Sequence, residues 1–179
     1  MIFSRNNQIY FLRDNIKIMN NKFSVISKGI DDTKNIAIKL SSFLKENGGL
    51  VCLYGDIGAG KTALTSLCAK QLGTKEHVTS PSFVILNEYY SGEIDIYHFD
   101  LYRLENEGLR SILDELRTYS QDRRALTFVE WAEFSDGELD ADRLEIDIKY
   151  LGDTEREINF INLGFASQDA FDKLKEDLL

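Results

Sequence analysis

At 179 residues the chain is the size of one α/β domain and is long enough to bury a substantial core. Its 43% hydrophobic content and single proline exclude a disordered polymer. The formal net charge of -9 argues against a broad nucleic-acid footprint, which needs concentrated Lys and Arg, and favours a nucleotide or a protein as partner.

Residues 1–22 read as an N-terminal extension that either supplies an extra strand or only precedes a domain spanning residues 23–179. Arg5, Arg13 and Lys17 interrupt any apolar run there, so no signal-peptide core is expected. No membrane-length apolar stretch follows, and a cytoplasmic location is expected. Residues 23–27 predict a short strand. Asp31, Asp32 and Thr33 then open a helix whose apolar face is Ile36, Ala37, Leu40, Phe43 and Leu44, stopped by Gly48 and Gly49.

Leu50, Val51, Cys52 and Leu53 are consecutive apolar residues, the pattern of a strand buried on both faces of a parallel sheet. Gly55-Asp56-Ile57-Gly58-Ala59-Gly60-Lys61-Thr62 follows at once, with the spacing G-x-x-x-x-G-K-[ST] of a phosphate-binding P-loop. Leu64, Leu67, Cys68 and Leu72 then recur at helical spacing before Gly73. The chemistry explains the residue types. Glycines let the backbone wrap a polyphosphate, so that successive N–H groups and the positive end of the next helix face it. Lys61 supplies a point charge for the terminal phosphates, and the Thr62 hydroxyl is a magnesium ligand. Cys52 and Cys68 read as small buried hydrophobes rather than as a disulfide or metal pair.

Beyond this helix, Val78-Thr79-Ser80-Pro81-Ser82-Phe83 reads as a loop. Residues 84–90 and 94–99 predict two strands joined as a hairpin at Ser91-Gly92. The second ends in His98-Phe99-Asp100-Leu101-Tyr102-Arg103, where Asp100 either acts on a metal or water beside the phosphates or caps the next turn. Leu109, Ile112, Leu113 and Leu116 predict a helix. Residues 125–131 then form an apolar run closing on Glu130 and Trp131, the pattern of a magnesium-assisting carboxylate at a strand end; Trp131 fits a core position equally well. Residues 144–151 and 155–163 alternate as a terminal hairpin around Gly152-Asp153, and residues 169–179 predict an amphipathic helix. The expected fold is therefore a single P-loop NTPase-like α/β domain, with a mixed, mostly parallel central sheet flanked by helices.

Four of these stretches together resemble the bacterial TsaE (YjeE) family. They are the P-loop, Thr79-Ser80-Pro81-Ser82-Phe83, His98-Phe99-Asp100-Leu101-Tyr102-Arg103-Leu104 and Val129-Glu130-Trp131, and the resemblance runs from about Gly29 to Tyr150. It implies an ATP-binding, magnesium-dependent ATPase needed to make threonylcarbamoyladenosine in tRNAs that read codons beginning with A. It also implies TsaD and TsaB as protein partners, contact with tRNA only through them, and no transfer of the threonylcarbamoyl group by this chain itself. Carried over by position, Gly55, Asp56, Gly58, Ala59, Gly60, Lys61, Thr62, Ala63 and Trp131 are the ATP-binding residues. Thr62 and Glu130 are the magnesium ligands, Asp100 and Glu130 the catalytic acids, and residues 79–83 a switch loop. Arg103 is either a charge stabiliser or structural. Ala63, Ser82 and Ala132 depart from the family's usual Thr, Thr and Pro.

Two other classes fit parts of this pattern. A small-molecule kinase shares the P-loop but needs an Arg-rich lid, for which Arg117, Arg123 and Arg124 are the available residues. A nucleotide-gated adaptor would bind ATP and its partner with incidental hydrolysis. A GTPase is excluded by the lack of a suitably placed Asn-Lys-x-Asp.

Overall fold

Residues 21–135 and 137–179 are described in the computed structural model of the chain. The apolar run at residues 50–53 lies in strand β2 (Gly49–Tyr54), and its burial explains its composition. Val51 and Leu53 point into one hydrophobic core, Leu50 and Cys52 into another on the opposite face, and all four are fully buried. A strand covered on both sides has no polar face to alternate with.

The first core lies under two long helices and the terminal one. Helix α1 (Ile30–Asn47) brings Ile36, Ala37, Leu40, Phe43 and Leu44, and α2 (Lys61–Gln71) brings Leu64, Cys68 and Ala69. A terminal helix (Gln168–Leu178) adds Phe171 and Leu174. It opens on Ser167, whose side chain accepts from the Ala170 N–H as a helix N-cap. The second core is closed by Leu104 of a one-turn helix α3 (Leu104–Glu107), Leu116 of α4 (Leu113–Ser120) and Ala132 of a 3-10 turn (Ala132–Ser135). The terminal helix is α5.

Among the described residues seven strands form one sheet. Besides β2 they are β1 (Lys22–Ser27), β3 (Leu86–Tyr89), β4 (Ile96–Asp100), β5 (Leu126–Glu130), β6 (Arg143–Tyr150) and β7 (Arg156–Leu163). Their order is β1-β7-β6-β2-β5-β4-β3. β6, β2, β5 and β4 are mutually parallel, while β7 and β3 run against their neighbours, so β1 points the same way as the central four. This is the mixed, mostly parallel sheet the sequence predicts. The parallel register sets Leu53 opposite Glu130 and Glu130 opposite Asp100, which brings three strand ends to one edge. Among the described residues no helix is long and apolar enough to cross a membrane.

Three local differences from these expectations stand out. The strand predicted over 84–90 starts only at Leu86, because the Val84 and Ile85 N–H groups both donate to the Pro81 carbonyl and Ile85 sits at φ 70°. The β3–β4 hairpin closes through residues 90–95 rather than a tight Ser91-Gly92 turn, since Gly92 packs on the end of α2 and the Glu93 N–H donates to the Leu72 carbonyl. Leu109 and Ile112 lie in turns before α4, whose helical residues begin at Leu113. The strand β1, which precedes α1 and β2 in the chain, is separated from β2 by β7 and β6. Of the N-terminal extension, residues 1–20 lie outside the described residues, and the expectation of an extra strand falls there.

Candidate nucleotide site

The loop between β2 and α2 is shaped by three glycines at positive φ: Gly55 at 129°, Gly58 at 75° and Gly60 at 117°. At Gly55 a Cβ would stand 2.3 Å from the Ile148 carbonyl oxygen, so a side chain there has no room. At Gly60 a Cβ would meet nothing within 4 Å, which leaves the concave side of the loop open. The Leu64 N–H donates to the Gly60 carbonyl as the first helical bond of α2. The N–H groups of Lys61, Thr62 and Ala63 thus lie in the unsatisfied first turn, facing out of the helix at its positive end.

Lys61 is almost fully buried, and its Nζ donates to the carbonyls of Gly55 at 2.5 Å and Asp56 at 3.0 Å. The same nitrogen lies 3.6 Å from the centre of the Trp131 ring. Burial pulls its pKa down from the ordinary lysine value, opposed by the nearby carboxylates of Glu130, Glu133, Asp100 and Asp56. Burial also raises the carboxyl of Glu133.

Facing the loop, the Thr62 hydroxyl donates to Glu130 Oε2 at 2.9 Å. The other carboxylate oxygen, Oε1, is 2.8 Å from His98 Nε2. On the adjacent strand, Asp100 Oδ2 accepts from the Ser80 hydroxyl at 2.5 Å and Oδ1 from the Tyr102 N–H at 3.0 Å. Ser82 lies 2.9 Å from Ser80, which links the loop at residues 79–83 to the aspartate. A cavity of about 420 Å³ opens between these groups, lined by the P-loop, Ser80, Ser82, Asp100, Tyr102, Glu130 and Trp131.

A magnesium ion fits the donor chemistry here. Thr62 and Glu130 present hard oxygen atoms side by side. That combination suits Mg²⁺, which is held by one or two protein oxygens and completes its shell with phosphate and water.

The structure brings Gly58, Gly60, Lys61, Thr62, Ala63, Asp100, Glu130 and Trp131 to this one cavity. Ala59 is turned away and buried against the first core. Arg103 stacks over Phe83, 4.5 Å from its ring centre, and is not among the residues that line the cavity. The basic residues considered for a lid are committed elsewhere: Arg117 pairs with Glu138, Arg124 with Asp122, and Arg123 with Asp140 and Asp142.

Sequence reasoning missed two groups. The β6–β7 hairpin grips the P-loop: the Tyr150 hydroxyl donates to the Ile57 carbonyl at 2.8 Å and Arg156 Nε to the Ala59 carbonyl at 3.0 Å, with Arg156 stacked on Tyr150 at 4.1 Å. A residue nearly one hundred positions away leaves no local signal for such a contact. A second hollow of about 370 Å³, bounded by Ile30, Thr33, Leu64, Ile148 and Arg156, shares Gly58, Gly60 and Ala63 with the first.

Residues 27–158 match the family model described as threonylcarbamoyl adenosine biosynthesis protein TsaE. The tRNA threonylcarbamoyladenosine biosynthesis protein TsaE of Bacillus subtilis is 42% identical over 134 residues, which is 75% of this chain and 82% of that one. The protein of the same name from Haemophilus influenzae is 35% identical over 156 residues, covering 84% and 92%. The crystal structure of Bacillus subtilis YdiB superposes with a TM-score of 0.67 at 34% identity, over 88% of this chain and 93% of that one. With a family model spanning most of its length and relatives matched over most of theirs, the chain belongs to the TsaE family.

Proposed function

We propose that this chain binds ATP with Mg²⁺ at the P-loop cavity and hydrolyses it as a component of the machinery that makes threonylcarbamoyladenosine in tRNA. The names of its relatives support the pathway. The observation that carries the nucleotide chemistry is the meeting of Thr62, Glu130 and Asp100 opposite Lys61, contributed by one loop and two strand ends.

Lys61 Nζ and the first-turn N–H groups of α2 hold the phosphates. Thr62 Oγ1 and Glu130 Oε2 hold the cation, whose contribution when bound is to neutralise charge on the phosphate oxygens. Asp100, fixed by Ser80 and by the Tyr102 N–H, orients the attacking water and accepts its proton. The second hollow, with Ile30, Leu64, Ile148 and Ile158 on its walls, suits the nucleoside of a phosphate chain held on the shared glycines. Tyr102, Trp131 and Ser82 enclose the opposite side.

Among the described residues no arginine lines the cavity, and Lys61 is the cationic side chain there that faces charge developing on the transferred phosphoryl group. This supports slow hydrolysis by the chain alone and acceleration by a partner; in the reading proposed here that partner is a TsaB–TsaD complex in the cytoplasm, through which tRNA is contacted. The test is ATP turnover with Mg²⁺, with and without TsaB and TsaD from the same organism, beside a Lys61→Ala control. Stimulation by the partners with a dead control is expected. ATP binding without turnover above the control in any mixture would instead make the chain a nucleotide-gated adaptor and remove the catalytic role from Asp100.

A further inference from the structure

Behind Glu130, away from the cavity, lies His98, with no exposed surface. His98 and Asp100 are two residues apart on β4 and so project from the same face of the sheet. Glu130 pairs directly with Asp100, and His98 pairs with Phe128, which places His98 diagonally below the glutamate and one step further from the strand ends. Its Nε2 lies 2.8 Å from Glu130 Oε1, and its Nδ1 has no hydrogen-bond partner among the described residues.

We propose that His98 is a positioning residue that fixes the Glu130 carboxylate for cation binding, a role that rests on the reading of Thr62 and Glu130 as the magnesium ligands. A buried imidazole with one nitrogen unpaired is costly to keep where an apolar side chain would fill the same space. All of its hydrogen bonding goes to Glu130. A neutral ring carries one N–H, and only with the proton on Nε2 does it donate to the carboxylate; the other tautomer turns a lone pair toward Oε1. With Oε1 held from behind, Oε2 is the oxygen presented to Thr62 and to the cavity. The carboxylate is thereby barred from rotating to offer both oxygens or to fold back into the core. Hydrogen-bonded supports of this kind set the orientation and basicity of metal-binding carboxylates.

The test measures Mn²⁺ bound to the protein–ADP complex by electron paramagnetic resonance, using wild type, His98→Leu and His98→Gln, with folding checked by near-ultraviolet circular dichroism. In His98→Leu the Kd for Mn²⁺ rises about tenfold or more. ADP affinity without metal stays within about twofold in that variant, because the P-loop amides and Lys61 are untouched. His98→Gln, whose amide N–H reaches the same place, stays within about threefold of wild type. A merely structural role would lower stability in both variants without separating metal from nucleotide affinity. A His98→Leu variant that binds Mn²⁺ as wild type does, or a His98→Gln variant that loses as much as His98→Leu, overturns the proposal. If His98→Leu does not fold, His98→Asn, too short to reach Oε1, takes its place. Failure of both to fold marks His98 as a packing residue and also overturns the proposal. Absence of any Mn²⁺–ADP complex on the wild-type chain overturns the magnesium reading itself, and the role of His98 with it.

Discussion

Single residues decide most of the site's chemistry, and several do so through contacts their neighbours in sequence cannot supply. Asp100 is held at both carboxylate oxygens, by a hydroxyl from the loop at residues 79–83 and by an N–H from its own turn. Replacing it with Asn keeps the shape and removes the base proposed above. Turnover is therefore expected to fall by about a hundredfold or more while ATP affinity changes little, which steady-state rates and calorimetric binding will separate. Gly55 makes a different demand. A Cβ at this position would overlap the Ile148 carbonyl, at a backbone φ that side chains rarely adopt. Gly55→Ala is expected to destabilise the fold by about 2–4 kcal/mol, seen as a lower urea midpoint with unchanged slope. The motif spacing marked Gly55 for phosphate wrapping; that it also makes room for β6 is visible only with β6 in place.

Whole elements show where local sequence signals are strong and where they fail. The helix α1 and strands β2, β5, β6 and β7 follow their hydrophobic patterns, because each is long enough to show a clear period or a continuous buried run. Between residues 84 and 113, β3 and β4 form near their predicted places, but the start of β3 and the approach to α4 depart from the pattern. There the Pro81 carbonyl captures two N–H groups and a single-turn helix intervenes, and neither event has a periodic signature. The β6–β7 hairpin, read from the sequence as a terminal hairpin, holds the P-loop through Tyr150 and Arg156. Removing the Arg156 side chain leaves the core untouched and frees the Ala59 carbonyl. Arg156→Ala is expected to weaken nucleotide binding about three- to tenfold while changing stability by less than about 1 kcal/mol, as measured by ATP titration and urea unfolding of the same samples.

For the whole molecule, the sheet order is the governing fact. The last two strands enter between the first and second, so the sheet is not complete until the final hairpin has paired on both sides. The two cysteines report on that closure, since Cys52 lies in the central strand and Cys68 in α2, both buried. Burial pushes the Cys68 thiol up to about 12 and raises that of Cys52 as well. Thiolate is the reactive form, so at pH 8 neither group is available in the folded protein. A disulfide reagent such as DTNB is expected to label neither in the native chain and both after denaturation. Rapid labelling of one thiol before unfolding would show that its covering helix opens independently.

The sequence by itself determined the α/β class, the P-loop with its strand and helix, and the acids Asp100 and Glu130 as candidates, together with the family resemblance that assigned their roles. Those features depend on residue type and spacing over short stretches, where backbone geometry and periodic burial leave a direct imprint. Tertiary structure decided that β7 and β6 lie between β1 and β2. It also decided that Arg156 and Tyr150 clamp the loop, and that His98 stands behind Glu130. Each of these is a pairing between residues far apart in the chain, set by strand order and register, and no local pattern encodes which distant strand will become a neighbour.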